Sequence, residues 1–168
     1  MSVEQNGEEA PASYFIGKKE DVMKAKRVSK FINGRDVLVI YYEGKFYAMD
    51  AYCYHAGGLL ENGDIEEFNY KLCIVCPSHK YKITLAEGEG LYQASDPEEK
   101  PPIPRWYSKG IKQRVHTVLD VGGDIYVKMS DVRKSIGSDY YQTEKQRQER
   151  QKCPEISAAA ADDDEGEC

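Results

Sequence analysis

An all-β domain is the fold class this sequence predicts, on two observations. From about residue 14 the chain is a succession of short apolar runs, each of strand length and each bounded by turn residues. Two pairs of these runs flank glycine-bearing turns that close antiparallel hairpins. VLVIYY (37–42) and KFYAMD (45–50) surround Glu43-Gly44, and RVHTVLDV (114–121) and DIYVKM (124–129) surround Gly122-Gly123.

In chain order, residues 1–13 form an acidic lead expected to be disordered. The first hairpin follows. NYKLCIVC (69–76) and YKITL (81–85) are two further strands, interrupted by CPSHK. The stretch EGEGLYQASDPEEKPPIPRW (87–106) is too rich in Gly, Pro and charge for regular structure. The second hairpin closes a domain set at 14–131. Residues 132–168 read as a polar, acidic tail. A helix from Ser138 to Lys152, stopped by Pro154, has almost nothing apolar after Tyr141 and so no face to bury. The tail is therefore expected to be frayed, partly helical or disordered.

The net charge of −6 over 168 residues belongs to the ends, because residues 1–10 and 162–168 contain acids and no bases. The domain between them is close to neutral and has no basic stripe to track phosphates, which excludes nucleic acid as a partner. No run approaches the ~20 apolar residues of a membrane span. The start of the chain has neither a signal-peptide core nor transit-peptide character, so a reducing, cytoplasmic location is expected. There, cysteines at short spacings point to metal or redox chemistry.

Two such spacings occur twenty residues apart. CYHAGG (53–58) holds Cys53 and His55, and CPSHKY (76–81) holds Cys76 and His79, giving C-x-H-x20-C-x-x-H. Each pair interrupts strand-type sequence, so two loops would bring two thiolates and two imidazoles to one site. Such a donor set suits either a [2Fe–2S] cluster with Cys on one iron and His on the other, or a tetrahedral Cys₂His₂ zinc ion. Zinc motifs pair like with like, whereas each loop here supplies one ligand of each type, which favours iron–sulfur. Gly57 and Gly58 allow the main chain to approach bridging sulfides. Other residues carry less. Cys73, among strand residues, reads as a reduced structural thiol, His116 as a packed or surface imidazole, and Cys153 and Cys168 as free thiols.

CYHAGGLLENGDI (53–65) resembles C-x-H-x-G-x-x-L with a following Gly turn, and CPSHKYKI (76–83) resembles C-P-x-H-x-[aromatic]. Both are similar to the Rieske [2Fe–2S] family, in particular its small soluble ferredoxins of animals, over about residues 14–130. That resemblance implies an antiparallel β-sandwich or barrel-like base bearing a small cluster-binding subdomain. It implies one [2Fe–2S] cluster per subunit, with Cys53 and Cys76 on one iron and His55 and His79 on the other. High-potential members have a disulfide across the loops where Gly58 and Ser78 stand here. They also have cluster-directed hydroxyl donors at the places of Tyr81 and Ile83. Fewer donors imply a potential low in the Rieske range, near about −150 mV. Lys80 replaces a Gly common in the family.

The implied role is a soluble one-electron carrier, a monomer passing electrons between a reductase and an oxygenase-like acceptor. Lys71, Lys80 and Lys82 offer a basic rim for docking. The chain is not expected to be an enzyme itself. Rieske oxygenases need a further iron held by two His and a carboxylate, and beyond the cluster only His116 is left. The alternative is a non-redox, zinc-bound interaction module on the same scaffold.

Overall fold

The computed structural model describes residues 13–152. Eleven strands form two antiparallel sheets. Those of the base are β1 (Ser13–Lys18), β2 (Arg27–Ile32), β3 (Arg35–Tyr42), β4 (Lys45–Asp50), β10 (Val115–Val121) and β11 (Asp124–Lys128), in the order β1-β11-β10-β4-β3-β2. A short helix α1 (Lys19–Ala25) links β1 to β2. The second sheet, order β9-β8-β7-β6-β5, is made of β5 (Asp64–Phe68), β6 (Lys71–Val75), β7 (Lys82–Thr84), β8 (Glu89–Ala94) and β9 (Arg105–Ile111). This is the base plus smaller subdomain that the resemblance of the two loop motifs implies.

The VLVI run explains how the two sheets share a core. A strand alternates its side chains between faces, so a continuous apolar run must be covered on both. Val37 and Val39 join Ile16, Val22, Ala48, Ile125 and Val127 in the core inside the curled base sheet. Leu38 and Ile40 point the other way, into a second core with Met49, Leu60, Ile74, Ile83 and Leu85. β3 is therefore the wall between two cores, and that second core also contains Cys53 and Cys76.

Both expected hairpins are present, with Tyr42 opposite Lys45 and Val121 opposite Asp124. Two more exist: Asn33-Gly34 joins β2 to β3, and Asn69-Tyr70 joins β5 to β6. All four turns have positive φ at both central residues, the conformation that matches strand twist.

Two expectations are corrected. Residues 87–106 are not irregular throughout, since β8 and β9 pair from Arg105↔Ala94 to Ile111↔Glu89. β9 is the sheet's edge and β8 lies between it and β7, and the two bury only Gly90 and Leu91, so backbone pairing and the Tyr92–Tyr107 ring contact replace an apolar pattern. The segment after 131 does contain a 3-10 turn (Gly137–Gln142) and a helix α2 (Glu144–Lys152), and as expected it buries no apolar stripe. It is nevertheless docked, through polar groups: Ser138 and Gln142 are buried, and Asp139 is held by Arg35 and Arg114. Residues 1–12 and the expected features after 152, including Pro154, Cys153 and Cys168, lie outside the described residues.

Candidate metal centre

The four candidate residues come together as two pairs, Cys53 with Cys76 and His55 with His79. The first loop runs from β4 to β5 and turns back on itself: Cys53 N–H donates to Gly58 O and Gly57 N–H to Cys53 O, both at 2.8 Å. The second is a tight turn between β6 and β7, closed by Lys80 N–H donating to Cys76 O and Cys76 N–H to Tyr81 O, again at 2.8 Å. Lys80 adopts φ +63, which accounts for a glycine preference at this place. Lys80→Gly is expected to raise stability by about 1 kcal/mol, read as a higher denaturation midpoint.

The loops touch through Gly58. A Cβ there would lie 2.6 Å from Ser78 Oγ and 2.8 Å from Cys76 Sγ, so only glycine permits this approach.

The donors are sorted by depth. Cys53 and Cys76 are buried in the shared core, while His55 and His79 are exposed at the tip with ring centroids 5.0 Å apart. The two thiols hydrogen-bond to one another. That bond from Cys53 holds the Cys76 thiol down to about 6 against the opposing effect of burial, helped by the Ser78 and His79 amides. Cys53 is pushed far up by the same bond and by burial. His55 is lowered by desolvation first, then by the charges of His79 and Lys109, which favours the neutral, ligating form. Thiolate character inside, neutral imidazoles outside and amides aimed at sulfur fit a cluster of the Rieske type.

Several neighbours were not legible beforehand. Tyr81 stacks on His55 at 3.8 Å and 13°, and Lys109 lies over Tyr81 at 4.3 Å. Lys109, from the edge strand β9, thus brings charge close to the tip. Of the expected rim, Lys71 is paired with Glu89 at 2.7 Å, and Lys82 lies over Phe68. Gln113 is fully buried and brackets Cys53: its Nε2 donates to Asp50 O and Tyr52 O (3.0 and 2.8 Å), and its Oε1 accepts from Tyr54 N–H (2.9 Å).

Beneath the first loop lies a buried charge network. Asp50, fully buried, accepts from Arg35 Nε and Nη2 (3.1 and 2.6 Å) and from Ser138 Oγ (2.6 Å). His116 is packed here, as expected. Ser130 N–H donates to its Nδ1 at 3.0 Å, so Nε2 carries the proton and donates to Asp50 Oδ1 at 3.0 Å. Cys73 is buried on the face of β6 opposite Ile74, its thiol pushed up to about 11 by burial, in keeping with a structural role.

Comparison with known proteins agrees with this geometry. A family model described as soluble Rieske-type ferredoxin matches residues 14–132. A human Rieske domain-containing protein is 48% identical over 132 residues, 79% of this chain and 84% of that protein. Among solved structures, the ferredoxin of carbazole 1,9a-dioxygenase from Nocardioides aromaticivorans is similar with a TM-score of 0.51 at 18% identity, covering 71% of this chain and 99% of its own. A protein named as an NADH-dependent nitrite reductase small subunit from Mycobacterium tuberculosis gives a TM-score of 0.55 at 13% identity, covering 73% and 98%. At those identities the two structures speak for the fold, whereas the family model and the human relative speak for descent. The chain belongs to the soluble Rieske-type ferredoxin family.

Proposed function

We propose that this protein is a one-electron carrier in which Cys53, Cys76, His55 and His79 hold a single [2Fe–2S] cluster. The observation that carries this reading is the sorting of donors into a buried thiol pair and an exposed imidazole pair. A mononuclear zinc ion would need all four on one point, whereas two irons suit a thiol pair set deep and an imidazole pair set at the tip. When bound, the cluster supplies a one-electron couple with less negative charge than an all-Cys site.

The chain's own residues do the rest. Burial keeps solvent from Cys53 and Cys76, and the amides of His55, Ala56, Ser78 and His79 hydrogen-bond to the sulfurs. His55 and His79 are the exposed edge of the site and so the face that a redox partner approaches. We take the partners to be a reductase and an oxygenase-like acceptor. The only other histidine, His116, is committed to Asp50 and Ser130 and is not available for an oxygenase iron. The reduced state of Cys53, Cys73 and Cys76 suits the cytoplasm. No helix among the described residues is long and apolar enough to cross a membrane.

Protein purified without oxygen is expected to be reddish-brown and to bleach with dithionite. Electron paramagnetic resonance of the reduced state should carry the signature of mixed His and Cys ligation. Colourless protein with one zinc per chain would establish the alternative, a zinc-bound interaction module. Tyr81 stacks on His55 and Ile83 is buried in the core, so neither position supplies the hydroxyl donors of high-potential members. The midpoint potential is therefore expected near about −150 mV in a redox titration, and a value well above zero would contradict it.

A further inference from the structure

We propose that Tyr141 is a positioning residue for the first ligand loop, pressed onto the loop by a polar strap formed from residues 137–150. The strap lies beyond the stretch that the family model matches, residues 14–132. The part of this proposal that concerns the cluster rests on the reading above; the part that concerns the loop does not.

The strap is anchored from behind. Ser138 Oγ donates to Asp50 at 2.6 Å and accepts from Arg114 N–H at 2.9 Å, both bonds buried. Asp139 receives Arg35 at 2.5 Å and a bidentate pair from Arg114 at 2.8 and 2.9 Å. Gln142, buried, acts as a strand partner to Asp36, accepting its N–H at 2.7 Å and donating to its carbonyl at 2.9 Å. On the far side Arg150 donates to the Tyr141 carbonyl at 3.0 Å and lies 3.8 Å over the Tyr52 ring. Tyr141 is thus held between fixed points.

In front, its ring covers Gly57. A Cβ on Gly57 would lie 2.7 Å from Tyr141 Cδ1 and 3.0 Å from Cε1, so glycine and ring are fitted to one another. Gly57 has φ +76 and donates its N–H to Cys53 O, which makes it the residue that turns the chain between Cys53 and the second glycine. His55 and Ala56 are themselves exposed, so this turn has little other cover. Tyr141 Oη also donates to His55 O, but at 3.3 Å and in an exposed position. The ring, more than the hydroxyl, holds the turn that sets Cys53 and His55.

Hydrogen–deuterium exchange of the peptide spanning 51–60, measured on the protein as purified, tests this together with the rate at which a chelator bleaches the visible absorbance. In Tyr141→Ala both should rise about tenfold, the scale set by losing a half-buried aromatic contact. Tyr141→Phe should restore both to within about twofold of the original. Gly57→Ala forces the ring away and also strains the backbone at φ +76, so it should raise both at least as much, and because Tyr141→Ala removes the clash the combined effect should fall short of the sum. This cycle also serves if Tyr141→Ala alone folds poorly. Unchanged exchange in Tyr141→Ala, a Phe variant as fast as the Ala variant, or additive effects would overturn the proposal. Colourless starting protein with a Tyr141-dependent exchange rate would instead overturn the cluster reading and leave the strap standing.

Discussion

Cys76→Ser is expected to abolish iron content and visible absorbance, whereas Cys73→Ser retains both and loses only stability. The two thiols lie three residues apart in sequence but in different surroundings. Cys76 is held down to about 6 by its bond with Cys53 and by the amides around it, so it presents a sulfur ready to ligate a metal. A serine hydroxyl in that place remains protonated at neutral pH and offers a harder, weaker ligand. Cys73 is pushed up to about 11 by burial and has its thiol directed to the Lys71 carbonyl at 3.6 Å. Its replacement puts a hydroxyl in a fully buried place shaped for a thiol, at a cost of about 1–3 kcal/mol. Iron analysis and absorbance on both variants separate the outcomes. Normal iron in Cys76→Ser would remove that residue from the ligand set.

Asp50→Ala is expected to cost about 3–5 kcal/mol, the range for removing one partner of a buried charge network. His116 and Ser138 would lose their acceptor at once, and Arg35 would keep only Asp139 of its two carboxylates. Asp50 is also three residues before Cys53, so the first loop would lose its footing and cluster retention should fall with stability. The pH dependence carries the same signature. Burial pushes the Asp50 carboxyl up, but hydrogen bonds from His116, Arg35 and Ser138 outweigh it and hold it below its ordinary value of 3.8. A carboxyl lowered in the folded state stabilises fully above that ordinary value, and the contribution disappears as pH falls through the folded one. Stability should therefore drop below about pH 4, and more shallowly in Asp50→Ala; Asp139, lowered by Arg114 and Arg35 despite burial, adds to the same window. Chemical denaturation at a series of pH values measures both slopes. Equal slopes in the two proteins would show that Asp50 does not supply this dependence.

The limits of reading the chain alone are visible in particular elements. The hairpin at Glu43-Gly44 was legible because two residues with positive φ leave a local mark, and Asn33-Gly34 carried the same mark for a hairpin that went unread. β8 and β9 left none, since β9 is an edge strand and β8 buries only Gly90 and Leu91, so backbone pairing holds them without alternation. Gln113 would have passed for an ordinary polar residue between strands. Its buried bonds reach Asp50 and Tyr52, 63 and 61 positions away, and no local pattern records such a reach.

By itself, then, the sequence determined the features whose causes are local: a β-rich domain, turns where the backbone needs glycine or asparagine, and two loops each carrying one cysteine and one histidine. The tertiary structure alone decided that cysteines go inside and histidines outside, that β3 divides two cores, and that a segment without an apolar face is docked through Ser138, Asp139 and Gln142. The physical reason is range. Periodicity and turn chemistry act over a few residues, while buried charge pairing joins positions as distant as Asp36 and Gln142, 106 apart, and appears only when the chain is folded.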